Sequence, residues 1–336
     1  MSRALLYCAG GGIGDSLVAT VVAQALHHRF DSVDALTLPG HRATLERVPD
    51  LDNVEVDSDS SVGELATLLR GRSYDACIVS WATARAAEVV CGAEIPIRVG
   101  QANRLYSSKF THRVAVRSER GNVTAHWSDI LLDYARAIDC DAVGAHPNLS
   151  PTAQDDRSAE ELRRELSIAR AEYLLLHPTN AIASERAVWP TMGWARIASA
   201  LRRRFSMPVL LSGSAAEDRI NARIVEEAGD DGVISIAGRT GIGAFAALAR
   251  DARAFVGITT GSMHVAAAVE ARTVGIFPFQ SDFPERWAPL CRRRAIVRAS
   301  YRCHRGDRKE SCSDYACIAE LDAVRVVAAL EGLLSQ

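Results

Sequence analysis

Short apolar runs alternate with helical periods along almost the whole chain, and this alternation restricts the fold more than any single motif. ALLYCA (4–9), VDALTLP (33–39) and YDACIVSW (74–81) have the length and continuous apolarity of buried strands. Between and after them, SLVATVVAQALHHRF (16–30), ATLERV (43–48), VGELATLLRGR (62–72) and HWSDILLDYARAI (126–138) carry helical spacing. Strands separated by helices predict parallel sheets covered on both faces. The basic stretch 95–117 is expected to be irregular.

A second series repeats the pattern. Strands are predicted at EYLLLHP (172–178), PVLLSGS (208–214), GVISIAG (232–238), ARAFVGIT (252–259) and RTVGIFP (272–278). Helices are predicted at WARIASALRRRF (194–205), DRINARIVEEAG (218–229), IGAFAALARDA (242–252), SMHVAAAVEA (262–271) and LDAVRVVAALEGLL (321–334). The turn-rich segment AHPNLSPTAQDDR (145–157) separates the two series. A chain of 336 residues is long for one core and suits two of about 150 each. The expected division is an N-terminal domain over 1–155, a C-terminal domain over 156–318, and a C-terminal helix over 319–336 packing back on the first domain. The fold class is α/β, with two Rossmann-like domains facing a central cleft, and ligands are expected beyond the carboxyl ends of the strands.

A formal charge of −2 argues against non-specific nucleic-acid binding as the main task. No run approaches the ~18 apolar residues of a membrane span, and MSRALLYCAGGG lacks a signal-peptide core and cleavage pattern. A cytoplasmic protein is expected. Cys8, Cys77, Cys91 and Cys140 lie in apolar or mixed segments without metal spacing. Cys303, Cys312 and Cys317 follow C-x8-C-x4-C without a C-x-x-C pair, and His304 adjoins Cys303. Reduced thiols or a disulfide are favoured over a metal, so none is expected.

The glycine-rich turn GGGIGDSL (10–17) follows the first strand. From Gly10, the dinucleotide fingerprint G-x-G-x-x-G meets Asp15 where its third glycine should stand, and Pro39 and Gly40 occupy the place of a ribose-binding acid. This argues against NAD. Two roles remain open for Asp15: a general base kept ionised by the helix dipole, or a cap of the helix start. In AFVGITTGSMHVAAAVEA (254–271), a strand runs through Thr259, Thr260, Gly261 and Ser262 into an alanine-rich helix bearing His264. The unpaired N–H groups of such a helix start suit a diphosphate; an ordinary capped helix with a packed histidine is the alternative. The long connection LLLHPTNAIASERAVWP (174–190) offers Thr179, Asn180, Ser184 and Arg186 to the same ligand. Glu217 is placed either to accept from a ribose diol or as an exposed helix-start glutamate. Arg98, Arg104, Lys109, His112 and Arg113 form either a site for an anionic acceptor or a solvated basic face. Arg202–Arg204 and Arg292–Arg294 are candidates for contact with anionic lipid or plain helix-end arginines.

Taken in order, GDSLVAT (14–20), HP…ERAVWP (177–190), LLSGSAAED (210–218), GRTGIGAFAALARDA (238–252), TTGSMHVAAA (259–268) and the tail YRCHRGDRKESCSDYACIAELD (301–322) resemble the heptosyltransferase family, glycosyltransferase family 9. The resemblance implies a GT-B fold with acceptor on the N-terminal domain and sugar nucleotide on the C-terminal one. It implies metal-independent, inverting transfer of heptose from ADP-heptose to a lipopolysaccharide core, with no cofactor beyond the nucleotide-sugar substrate. Asp15 matches the family's base, and Thr260, Gly261 and His264 match its donor-phosphate turn. Glu217 approximates its ribose contact. The expected donor set is thus Thr179, Asn180, Ser184, Arg186, Glu217, Thr259, Thr260, Gly261, Ser262 and His264, with Asp15 and His264 catalytic. The expected acceptor set is Gly12, Gly14, Arg98, Arg104 and Lys109. The partners implied are a nucleotide sugar and a glycolipid or saccharide, without nucleic acid, for a monomer touching the inner membrane at most peripherally. Three departures stand out: Thr259 replaces the usual turn aspartate, Ala187 replaces a lysine, and Ser262 replaces a frequent proline. A GT-B epimerase, a transferase of UDP or GDP sugars, and a non-catalytic sugar-nucleotide binder are the competing readings.

Overall fold

The structure, a computed structural model, describes residues 1–58, 60–179, 190–279, 282–298, 312 and 315–335. The chain divides into two compact units, 1–150 and 151–336. The first holds β1 (Arg3–Cys8), β2 (Ser32–Thr37), β3 (Asn53–Val56), β4 (Ala76–Ser80), β5 (Ile97–Gln101) and β6 (His112–Val114), in the order β3-β2-β1-β4-β5-β6. The second holds β7 (Leu174–His177), β8 (Val209–Leu211), β9 (Val233–Ser235), β10 (Ala254–Ile258), β11 (Thr273–Phe277) and β12 (Arg294–Arg298), in the order β12-β11-β10-β7-β8-β9. Every pairing is parallel. Each sheet reverses its strand order beside its first strand, between β1 and β4 and between β7 and β10. Those are the points where open parallel sheets take ligands.

Central strands are buried on both faces, which is why they appear in the sequence as unbroken apolar runs. Asp34 on β2, a buried carboxylate within this layer of the first unit, accepts from Arg3, Tyr74 and Asn53. The helix Val62–Arg72 begins where its capping box dictates: Ser61 Oγ accepts from the Glu64 N–H at 3.3 Å while Glu64 accepts from the Ser61 N–H at 2.8 Å. The expected helix 16–30 instead starts at Ile13 and is interrupted at Thr20, giving Ile13–Ala19 and Val21–Leu26. The Thr20 hydroxyl donates back to the Leu17 carbonyl at 2.7 Å, a local bond that competes with the helical ladder.

Two other expectations are corrected. Residues 95–117 are not irregular: they contain β5, a 3-10 turn at Leu105–Lys109 and β6. The division falls between Ser150 and Pro151 rather than at 155, because Thr152 caps the helix Ala153–Glu165 and that helix belongs whole to the second unit. The C-terminal helix Ala323–Leu334 buries Val326, Leu330 and Leu333 in the second unit's core, with Trp194 and Leu201.

Candidate functional site

In the first unit the residues expected to do chemistry lie on the turn leaving β1 at the switch point. The Ala9 N–H donates to the Ser80 carbonyl at 3.2 Å, joining the ends of β1 and β4. The chain then passes through Gly11 in the left-handed region, at φ +79°. A Cβ at Gly11 would lie 2.7 Å from Asp15 Cβ and 2.9 Å from its Oδ2, so only glycine leaves Asp15 where it is. Asp15 stands in the first helical turn, half-buried, and its Oδ2 accepts from the Gly12 N–H at 2.7 Å. This bond is the capping role left open by the sequence, and it orients the carboxylate.

His41 is a member of this group that reading the sequence missed. It follows β2, is 8% exposed, and its Nδ1 lies 2.9 Å from Ser16 Oγ. Burial pushes it below the ordinary histidine range, and the field of Asp15 opposes this without reversing it. A neutral imidazole therefore stands near the carboxylate at neutral pH. The signal available in the sequence was a lone histidine after a strand, which most often is just a packed side chain.

The expected acceptor residues separate. Gly12 is exposed on the turn, while Gly14 is buried in the first turn of the helix. Arg98 is corrected outright. It lies near the start of β5, at the opposite end of the strand from the ligand edge, and its guanidinium donates to the Lys109 and Ile95 carbonyls. Lys109 contributes its backbone oxygen to that bond. Arg104 pairs with Glu119.

In the second unit the turn after β10 is built as the sequence suggested. Thr260 is the extended residue before the helix Gly261–Ala268. Its Oγ1 lies 2.6 Å from Ser262 Oγ, and the Thr259 N–H donates to the Ile276 carbonyl at 2.9 Å. Thr259, Thr260, Gly261 and Ser262 are all partly exposed, and no acid occupies the first turn. The first N–H groups of a helix have no partner within it, so this tip presents donors and a positive dipole end. His264 is 7% exposed, and Met263 beside it is fully buried.

After β7, the buried Thr179 hydroxyl donates to Glu217 Oε1 at 2.6 Å. Glu217 is not an exposed helix-start glutamate: it is 6% exposed, and its Oε2 accepts from the Ser214 N–H at 2.6 Å and hydroxyl at 2.8 Å. Burial alone would raise its pKa, but His177 and these hydrogen bonds outweigh that and hold it below the ordinary glutamate range. Burial pushes the neighbouring His177 down, against the pull of Glu217. Thr179 and Glu217 thus tie the loop after β7 to the loop after β8. The competing ribose contact has to share a carboxylate already holding three protein donors. Asn180, Ser184 and Arg186 lie outside the described residues.

Among the described residues no group of three or more His, Cys, Asp or Glu could hold a metal ion, and no helix is long and apolar enough to cross a membrane. Cys303 and His304 fall outside them; Cys312 Sγ accepts from the Tyr315 N–H, and Cys317 is buried.

No curated protein matches the chain. Among solved structures it is similar to E. coli ADP-heptose lipopolysaccharide heptosyltransferase II, at 20% identity over 100% of this chain and 99% of that one, with a TM-score of 0.79. It is similar to a glycosyl transferase family 9 protein from Veillonella parvula, at 16% identity over 99% and 97%, TM-score 0.85. E. coli heptosyltransferase WaaC with ADP matches at 15% identity over 98% and 99%, TM-score 0.72. These likenesses carry the fold, which is GT-B. Residues 62–316 match the family described as glycosyltransferase family 9 (heptosyltransferase), more than half of the chain. The chain belongs to that family, and it is a glycosyltransferase.

Proposed function

We propose that the protein moves a heptose-like sugar from ADP-heptose to a hydroxyl of a glycolipid or saccharide, with inversion and without a metal, as in lipopolysaccharide core assembly. The observation that carries this reading is the contrast between two helix starts at the two switch points. The tip at Ile13 is occupied by the protein's own Asp15 carboxylate; the tip at Gly261 carries hydroxyls and no acid. The first suits a base and the second an anion. ADP bound to the similar E. coli heptosyltransferase WaaC supports an ADP-linked donor.

In the proposed step, an acceptor hydroxyl gives its proton to Asp15 as its oxygen bonds to the anomeric carbon. The bond from that carbon to the diphosphate oxygen breaks, and its electron pair leaves with ADP. The N–H groups at Gly261 and Ser262, the hydroxyls of Thr260 and Ser262, and His264 take up the growing negative charge. The acceptor is bound by the first unit and the donor by the second, in a cytoplasmic monomer with at most peripheral membrane contact. Thr259, in place of the family's aspartate, makes the sugar the open part of the donor's identity; turnover of ADP-linked heptoses and hexoses resolves it, and a panel of ADP-, UDP- and GDP-linked sugars tests the nucleotide.

General-base help is worth about 10²–10⁴-fold. Asp15→Asn should lower kcat by that factor while ADP affinity, measured by calorimetry, stays put. Wild-type turnover by Asp15→Asn would remove Asp15 as the base.

A further inference from the structure

We propose that Trp81 is the platform on which the acceptor's sugar ring stacks, beside the Asp15 turn; this deepens the assignment of the acceptor to the first unit and rests on it. Trp81 follows β4 directly, at the switch point next to β1. Its backbone is in the left-handed region, at φ +53°, which an L side chain enters only at a steric cost and which glycine or asparagine would fill more easily. The indole is nevertheless 38% exposed. Folding alone favours neither a bulky residue at that φ nor a large apolar ring in water, and a backbone outlier that persists is one its surroundings over-determine.

The surroundings here do so. The Ser80 carbonyl takes the Ala9 N–H, the Tyr106 hydroxyl donates to the Ala82 carbonyl at 2.6 Å, and Thr83 Oγ1 accepts from the Ala86 N–H at 3.1 Å. Behind the ring stands Trp127, its centroid 5.0 Å away and tilted by 37°. The ring is therefore held in place and not merely left outside. Glycine continues the arrangement toward Asp15. A Cβ on Gly10 would come within 3.4 Å of Trp81 Cβ, and one on Gly11 would strike Asp15. Two residues without side chains thus separate an exposed indole from a half-buried carboxylate. The C–H face of a pyranose packs on such an indole, leaving its rim of hydroxyls free to hydrogen-bond.

The test uses initial rates with the oligosaccharide released from lipopolysaccharide core by mild acid. Trp81→Leu should raise the acceptor KM about tenfold or more, the usual scale for a buried aromatic anchor, while Trp81→Phe should stay within about threefold. ADP affinity by calorimetry should be the same in both. An acceptor KM within about twofold of wild type in Trp81→Leu overturns the proposal. Should the leucine variant not fold, the unsubstituted protein still decides. The oligosaccharide, and not ADP, should slow N-bromosuccinimide oxidation of Trp81 followed by peptide mapping, and equal oxidation with and without it overturns the proposal. If Trp81→Leu raises acceptor KM while Asp15→Asn keeps turnover, the base assignment falls and the platform stands; the reverse pattern removes the platform alone.

Discussion

Gly11→Ala puts the geometry of the base to a quantitative test. The new methyl carbon would sit 2.7 Å from Asp15 Cβ, whereas carbon atoms rest comfortably at about 3.5–4.0 Å. Asp15 must then move by something near 1 Å. A displacement of ~1 Å costs a catalytic group about 10²-fold in rate. The left-handed conformation adds about 1–2 kcal/mol of destabilisation for an L-residue, a fall in melting temperature of about 2–8 °C for a unit of this size. Gly11→Ala should therefore fold, melt slightly early, and lose about 10²-fold in kcat. Gly12→Ala is the matched contrast. Its φ is −95°, and the nearest side-chain atom to its Cβ, Asp15 Oδ2, is an ordinary 3.6 Å away. Its kcat should hold to within a few-fold, with any loss appearing in the acceptor KM. The assay is ADP release at saturating donor and acceptor, beside calorimetric ADP binding. Wild-type kcat in a folded Gly11→Ala protein would show that the position of Asp15 does not govern turnover.

Two further variants probe the second unit. Arg163, 2% exposed, is paired with the buried Asp251 at the end of the helix Ile242–Asp251, and Glu160 is its other, half-exposed partner. Asp251→Asn leaves that guanidinium underpaired, which costs about 3–5 kcal/mol in general and the lower figure here because Glu160 remains; melting should fall by about 6–12 °C. Burial alone would raise the Asp251 pKa, but Arg250 and Arg163 outweigh it and hold the carboxyl below the ordinary range. Its contribution is therefore present above the unfolded value of about 4 and lost as pH falls through the folded one. The gap between wild type and variant should be full from about pH 5 upward and close below about pH 4, and a gap indifferent to pH would refute the pairing. Ser262→Asp places an acid at the donor-side helix tip. It should stabilise the helix by about 0.3–1 kcal/mol while weakening ADP at least about tenfold, and unaltered ADP affinity would move the diphosphate elsewhere.

What the sequence disclosed depended on whether a signal was local. The Val62–Arg72 helix was legible because Ser61 and Glu64 cap it from three residues apart. The central strands were legible because burial on both faces makes them uniformly apolar. The edge strands β3 (NVEV) and β12 (RAIVR) were missed: they are short, half-solvated and interrupted by charge. The same limit applied to the site. Asp15 and the Thr259–Ser262 turn were visible in single stretches of chain. His41 reaches Ser16 from 25 residues away, and Thr179 reaches Glu217 from 38. Nor does sequence distinguish a guanidinium in water from one closing on backbone carbonyls, which is why Arg98 looked like an acceptor contact and is part of the frame.

The failure of the dinucleotide fingerprint and the proposed assignment of the donor to the second unit rest on one electrostatic contrast. Both units bring a strand through a tight turn into a helix at the switch point, so both start with the same asset: unpaired N–H groups at the positive end of a dipole. In the first unit Asp15 stands where the fingerprint's third glycine would be, and its carboxylate takes the Gly12 N–H. That charge satisfies the tip from within and would repel a diphosphate brought to it. In the second, Thr260 and Ser262 share a hydrogen bond between neutral hydroxyls, which can turn toward a ligand at little cost. In the proposed mechanism, one residue type at one position thus divides two similar folds into a basic oxygen and an anion receptor, the two functions that displacement at an anomeric carbon requires.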